Sequence, residues 1–203
     1  MRKNVLWTTI GFGILGIISF VVYLALDLSG IYDARMVGYL CWFGYIVLVW
    51  LPILCEWLLK VKFNFVIIVS FEIFLVATLL VGTQWSVYGL FKPLDKIVHF
   101  ASGILIAFIA YELFSLSKIN KVNMFWLFFI VFSVSMMCGG VWEIWEFTFD
   151  GLLGNDSQNA GDLVGRAALF DTMWDLICDF FGSILGGIFV LLMEKKKQKA
   201  EKE

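Results

Sequence analysis

Three aspartates, Asp171, Asp175 and Asp179, follow one another at intervals of four residues in an apolar run that continues to Met193. On a helix this spacing places all three carboxylates on one face, over about two turns. A carboxylate at the centre of a membrane helix costs about 2.5–3.5 kcal/mol on insertion scales. The three acids therefore need hydrogen-bonding partners, protons or a bound cation.

Two other apolar stretches carry acids at helical spacing. One begins Asp95-Lys-Ile-Val-His99, which puts Asp95 and the chain's only histidine one turn apart on one face. The other ends with Glu143, Glu146 and Asp150, which follow an i, i+3, i+7 pattern on one face. We expect the three acidic faces to converge on one pocket that holds His99.

Several carboxylates a few ångströms apart cannot all stay ionised without compensation, so they share protons or bind a cation. Oxygen ligands suit Mg²⁺, Ca²⁺ or Mn²⁺, and one imidazole favours Mn²⁺ or Zn²⁺. A bound cation could polarise a phosphoryl group or activate water, while side chains beside it move protons. The expected catalytic residues are His99, Asp95 and Glu146. The expected metal ligands are His99, Glu143, Asp171, Asp175 and Asp179.

A simpler interpretation treats these acids as charges at helix ends. Carboxylates complement the dipole at a helix N-terminus, which explains Asp95 and Asp171 without any function. The same argument does not explain Asp175 and Asp179, because they lie one and two turns deeper in the apolar run. It also fails for Glu143, which lies near the end of its apolar stretch. The deeper acids therefore favour a functional site.

The composition sets the class of protein. Of the 203 residues, 61% are hydrophobic and 16% are charged, whereas a soluble domain is about 45–50% apolar and about 25% charged. Long uncharged runs predict a polytopic membrane protein. We expect a membrane lipid or a lipid-linked substrate as the partner, and no nucleic acid. The four cysteines form no CxxC pair and are interpreted as small buried hydrophobic residues.

The apolar stretches predict an all-α bundle of six transmembrane helices. The spans are expected at about residues 5–26, 36–59, 63–81, 95–116, 122–149 and 171–193. We expect one domain over residues 1–193, followed by a charged cytoplasmic tail over residues 194–203. Pro52 is a possible kink in the second span. Glu72, in the middle of the third span, is either a functional acid or a protonated acid bonded to a neighbouring helix.

The distribution of lysine and arginine predicts the orientation of the bundle. Six spans put both termini on one side, and the positively charged residues of that side number eleven: Arg2, Lys3, Lys60, Lys62, Lys118, Lys121, Lys195, Lys196, Lys197, Lys199 and Lys202. The other side has four: Arg35, Lys92, Lys96 and Arg166. The positive-inside rule therefore predicts cytoplasmic termini and an acidic pocket that faces outward.

Three short motifs give the chain a family resemblance over about residues 92–187. They are Asp95-x-x-x-His99-Phe, Trp142-Glu143-x-x-Glu146 and Asp171-Thr-x-Trp174-Asp175. The first resembles the VanZ-like membrane proteins of bacteria, and the later two are more similar to the related YjdF-like family. The resemblance implies a multi-pass protein of the bacterial cytoplasmic membrane. VanZ-like proteins are linked to resistance against teicoplanin, which acts on cell-wall precursors outside the membrane, and an outward-facing pocket fits that location.

These observations leave three functions open. The first is a divalent-metal-dependent enzyme that acts on a lipid-linked or cell-envelope substrate at the outer leaflet. The second is a proton- or cation-coupled transporter, or a membrane substrate-binding component, in which the same acids relay charge. The third is a structural membrane protein whose polar cluster fixes helix packing.

The orientation can be tested with a membrane-impermeant thiol reagent on intact cells. A cysteine introduced by Asn159→Cys should react from outside, because residue 159 lies in the polar loop predicted to be external. A cysteine introduced by Lys197→Cys is the control and should react only after permeabilisation. The reverse pattern would contradict both the orientation and the outward placement of the acidic pocket.

Overall fold

The computed structural model describes residues 2–117 and 122–200, and in these residues all regular secondary structure is helical. Six helical stretches are long and apolar enough to cross a membrane. The prediction of an all-α, six-span membrane protein is therefore confirmed. The orientation stays a prediction, and three of the lysines counted for it, Lys118, Lys121 and Lys202, lie outside the described residues.

The helices have the following bounds. They are α1 (Lys3–Leu28), α2 (Met36–Leu48), α3 (Leu51–Leu59), α4 (Phe65–Leu75), a π-helical segment (Val76–Gln84), α5 (Val87–Leu90), α6 (Pro93–Leu116), α7 (Met124–Leu153) and α8 (Phe170–Ala200). The second span consists of α2 and α3, and the third consists of α4 and the π-helical segment.

The second span is not one continuous helix, and the sixth is longer than predicted. The second span is interrupted between Leu48 and Leu51, directly before Pro52. Proline suits the first turn of a helix, where its missing N–H would have no intrahelical acceptor. The sixth span continues past its predicted end at Met193 as one helix to Ala200. The charged tail is therefore helical in its described part.

The chain divides into two compact units, Met1–Val98 and His99–Glu203. The single domain expected over residues 1–193 stays a prediction, and each unit is described by itself below. In the N-terminal unit the core contains Tyr45, Val49, Leu75 and Leu80. The hydroxyl of Tyr45 donates a hydrogen bond to the carbonyl of Phe12 at 2.8 Å, which ties α2 to α1.

In the C-terminal unit the buried residues of each helix recur at intervals of about four. On α7 they are Val131, Ser135, Gly139 and Glu143; on α8 they include Asp175, Asp179, Ser183 and Gly187; on α6 they include His99, Gly103 and Ala107. Most of these side chains are small. Small residues at facing positions let helix backbones approach closely, which is how membrane helices gain packing energy without a hydrophobic driving force.

Helices α6 and α8 are in contact through their backbones. A Cβ atom added at Gly103 would lie 2.8 Å from the carbonyl oxygen of Asp179 and 2.8 Å from the amide nitrogen of Ser183. A Cβ atom added at Gly182 would collide with the carbonyl of Phe100. No side chain fits between the two helices at this crossing.

Helix α7 joins the crossing through two serines. The hydroxyl of Ser135 donates to the carbonyl of Gly103 at 2.8 Å, and the hydroxyl of Ser183 lies 2.8 Å from that of Ser135. Both serines are buried. The three helices are therefore linked at one level by hydrogen bonds, one turn away from the histidine.

A matched pair of glycine substitutions tests this crossing. Gly103→Ala should lower the free energy of unfolding, because overpacking costs about 1–3 kcal/mol and the neighbouring atoms are backbone. Gly140→Ala is the control, because a Cβ atom there meets nothing within 4 Å and alanine favours a helix by about 1 kcal/mol over glycine. Thermal unfolding in detergent is the measurement, and equal melting temperatures for the two variants would contradict the packing.

Candidate functional site

His99 is surrounded by acids from two neighbouring helices of the C-terminal unit. The imidazole comes from the first part of α6, Glu143 comes from α7, and Asp175 and Asp179 come from α8. His99 and Glu143 are 6% and 5% exposed, and both aspartates are 1% exposed. Four ionisable side chains are thus buried together. Burying such groups is strongly unfavourable unless they are well paired or bind an ion.

The two ring nitrogens of His99 face different acids. Nδ1 lies 3.2 Å from Oδ2 of Asp179. Nε2 lies 3.7 Å from Oδ1 of Asp175 and 3.9 Å from Oε1 of Glu143. Of these three distances, the one from Nδ1 has the length of a hydrogen bond. The geometry therefore favours an Nδ1–H that donates to Asp179, with Nε2 facing the other two acids.

Asp179 is held in place by neighbours that leave it little freedom. Its Oδ1 accepts a hydrogen bond of 3.0 Å from the hydroxyl of Ser102, which also lies 2.7 Å from the carbonyl of His99. Its carboxylate occupies the space where a side chain at Gly139 would lie. Asp179 can therefore fix the tautomer and the orientation of the imidazole, as carboxylates do for many metal-bound histidines.

The Nε2 side of His99 has the donor atoms of a metal site. Bonds from a metal to nitrogen or oxygen are about 2.0–2.2 Å long, so neighbouring ligand atoms lie about 3–4 Å apart. The distances from Nε2 to Glu143 and Asp175 fall in this range. One imidazole with two carboxylates is a set that Mn²⁺, Zn²⁺ or Fe²⁺ accept. His99, Glu143 and Asp175 could hold such an ion.

The charges of His99, Glu143, Asp175 and Asp179 also favour a bound cation. Even with a protonated imidazole, three ionised carboxylates and one histidine carry an excess of negative charge. Charges in a poorly solvated interior interact strongly, because the effective dielectric constant is far below that of water. A cation, or protons shared among the acids, would remove the excess.

Two of the other expected site residues, Asp171 and Glu146, have partners outside this cluster. Asp171 accepts a hydrogen bond of 2.7 Å from the side chain of Asn159, and Glu146 accepts one of 2.9 Å from the indole of Trp142. Asp95 lies one turn before His99 on α6. These three acids are more exposed than the acids around His99. The structure thus brings together His99, Glu143, Asp175 and Asp179, and it places Asp171 against the loop before α8.

Two residues that support the site were not expected to do so from the sequence. Ser102 holds Asp179, and Gly139 leaves the room that its carboxylate fills. A signal for Gly139 was present, because Ser135, Gly139 and Glu143 follow one another at intervals of four on one face. A small residue one turn before a buried acid, on the same face, indicates close approach by another helix.

The fold and the buried polar cluster define a polytopic α-helical membrane protein with an ionisable centre. Within that class, the chain belongs to the family described as "Predicted membrane protein (DUF2238)", whose model matches residues 14–196. No curated protein and no solved structure matched the chain. The family description does not bear on the VanZ-like and YjdF-like resemblances, which stay predictions.

The tautomer of His99 can be measured directly, because the chain has a single histidine. Nitrogen-15 NMR of histidine-labelled, EDTA-treated protein should show a proton on Nδ1 at neutral pH. Asp179→Ala should remove that preference, since Nδ1 then loses its acceptor. Asp171→Ala is the control and should leave the signals in place. A protonated Nε2 beside an unprotonated Nδ1 in the unsubstituted protein would contradict the proposed hydrogen bond.

Proposed function

We propose that the protein is a divalent-metal-dependent enzyme of the bacterial cytoplasmic membrane that acts on a lipid-linked or cell-envelope substrate. One observation carries the proposal: Nε2 of His99 faces Glu143 and Asp175, while Nδ1 contacts Asp179. This is the arrangement of a metal-binding histidine and the carboxylate that orients it.

The ligand set supports a cation of intermediate hardness. His99, Glu143 and Asp175 supply one nitrogen and carboxylate oxygens, and Mg²⁺, Mn²⁺, Ca²⁺ and Zn²⁺ all accept some of these donors. A bound ion would polarise a phosphoryl or carbonyl oxygen of the substrate, or make a bound water more acidic. Asp179 would act as a positioning residue through His99, and it would not need to bind the ion itself.

Proton transfer falls to acids other than the ligands. An imidazole whose Nε2 binds the ion and whose Nδ1–H is held by Asp179 has no nitrogen left to accept a proton. Asp95 and Glu146 are half-buried rather than buried, so solvent can exchange protons with them. We propose that they carry the general acid and base roles, with Asp171 as a further acid at the start of α8.

We infer the substrate class from the tryptophans that lie beside the site residues in sequence. Trp142 and Trp145 flank Glu143 in sequence, Trp174 precedes Asp175, and all three indoles are more than 40% exposed. Exposed tryptophans are typical of the membrane–water interface, where lipid headgroups lie. A site at this depth can reach the headgroup of a lipid while the acyl chains remain in the bilayer. The lysine and arginine distribution supports an outward-facing headgroup.

Metal dependence should appear as thermal stabilisation of the purified protein. A ligand that binds only the folded state raises the melting temperature by mass action, and at a hundredfold excess over Kd it adds about 2.7 kcal/mol. We expect Mn²⁺, Zn²⁺, Mg²⁺ or Ca²⁺ to raise the melting temperature and EDTA to reverse the gain. Asp175→Asn should abolish most of the gain. Glu56→Gln should retain it, because Glu56 belongs to the N-terminal unit and pairs with Arg2.

The opposite results would favour a different function. If metals and EDTA leave the melting temperature unchanged while acidification raises it, the four residues share protons. A proton-coupled transporter or a structural polar cluster would then replace the enzyme. Buried ionisable groups without a metal are typical of proton relays in membrane proteins, which makes the transporter the second candidate.

A further inference from the structure

Glu72 is an isolated buried acid in the N-terminal unit. It lies in α4, within the membrane span Phe65–Gln84, and no part of it is exposed. Its Oε1 accepts a hydrogen bond of 3.1 Å from the hydroxyl of Thr9 on α1, and Thr9 is equally buried. Its Oε2 is buried and has no hydrogen-bond partner among the described residues.

The middle parts of the spans in the N-terminal unit bring Glu72 no counter-charge, because their other charged residues, Lys3, Asp27 and Glu56, lie toward the span ends. Residues 4–26, 36–55 and 63–91 contain no other charged side chain. Helix α1 packs against α4, and the part of α1 around Thr9 brings no titratable group. On α2, the hydroxyl of Tyr45 is committed to the carbonyl of Phe12. An ionised carboxylate in such surroundings would be strongly destabilising, so Glu72 needs a proton or a cation.

The surroundings of Glu72 suit a proton better than a metal ion. Ca²⁺ takes six to eight oxygen ligands, and Mg²⁺ needs near-octahedral coordination. The described contacts of the carboxylate supply one further oxygen, from Thr9. A proton needs a single oxygen, and Oε2 is the one that Thr9 leaves unused. The protonated acid then keeps Oε1 as the acceptor of the Thr9 hydroxyl.

The span that contains Glu72 changes its helical geometry immediately after it. The π-helical segment begins at Val76, one turn past Glu72, and ends at Gln84. π-Helical turns are rare and frequently mark functional sites. Gln84 is fully buried, and its Oε1 accepts a hydrogen bond of 2.7 Å from Ser19 of α1. Ser19 in turn accepts one of 2.9 Å from the indole of Trp85.

Polar groups therefore recur along the segment between Glu72 and Trp85. The hydroxyl of Thr78 donates to the carbonyl of Phe74 at 2.9 Å, and that of Thr83 donates to the carbonyl of Thr78 at 3.2 Å. At the far end, Nε2 of Gln84 is a buried donor with no partner among the described residues. Buried donors of this kind are rare and usually serve water or a ligand.

We infer that Glu72 is a proton-binding site within the membrane, protonated at neutral pH, positioned by Thr9 and able to exchange its proton along the π-helical segment toward Gln84. This site belongs to the N-terminal unit and does not depend on the metal centre around His99. Its chemistry is reversible protonation of one carboxyl group. No substrate other than the proton is required.

Infrared difference spectroscopy of the protein in lipid tests the site. The spectrum of the unsubstituted protein at neutral pH, minus that of Glu72→Gln, should contain the C=O stretch of a protonated carboxylic acid. Glutamine keeps the shape and can still accept from Thr9, so the melting temperature should change by a few degrees at most. Glu56→Gln is the matched control and should leave the band in place, because Glu56 is ion-paired with Arg2.

Two further measurements test the protonation of Glu72 even if Glu72→Gln does not fold. Thr9→Val removes the hydrogen bond to Oε1 and should shift the C=O band to higher frequency. Transfer into D₂O should shift the band to lower frequency, because an exchangeable proton is replaced by deuterium. The inference would be overturned by a difference spectrum in which Glu72→Gln removes no C=O band. It would also be overturned by a Thr9→Val spectrum identical to that of the unsubstituted protein, or by a Glu72 band that never shifts in D₂O.

Discussion

Burying a carboxylate between membrane helices costs free energy, and the packing of the helices in this structure depends on how that cost is compensated. Around His99 the cost falls on three acids at once, and they are compensated by an imidazole, by the hydroxyl of Ser102 and by any cation that binds. Such compensation requires donor atoms at hydrogen-bonding distance. The helices must therefore approach more closely than large side chains allow, and the glycines at the crossing of α6 and α8 permit that approach.

The two units meet this cost in different ways. In the C-terminal unit several charged groups lie together, so the charge can be distributed over a cluster and over a multivalent ion. In the N-terminal unit the hydrogen-bond partner of Glu72 among the described residues is the hydroxyl of Thr9. A single acid is most simply neutralised by a single proton. A chain that has both arrangements has two chemically distinct ionisable sites.

The sequence predicted the class of fold and the faces of the site, because both depend on local periodicity. Hydropathy located the six spans, and helical spacing placed Glu143 and Asp175 on inward faces. Pro52 indicated an irregularity in the second span, and the break after Leu48 lies one turn before it. The sequence did not predict the π-helical segment. It also did not separate Asp179, which contacts Nδ1, from Asp175, which faces Nε2. That distinction depends on the rotation of α8 against α6, which residue spacing does not determine.

The length of α8 has a mechanical consequence. A helix of 31 residues is about 46 Å long, whereas the hydrocarbon layer is about 30 Å thick. Helix α8 is therefore too long for the bilayer. Asp175 and Asp179 lie near its N-terminal end, and the C-terminal end, with Lys197 and Lys199, extends beyond the hydrocarbon layer. A helix transmits twist and tilt along its length. A molecule that binds the lysine-bearing end of α8 could therefore shift Asp175 and Asp179. A bulky tag fused there without a flexible linker would have the same effect.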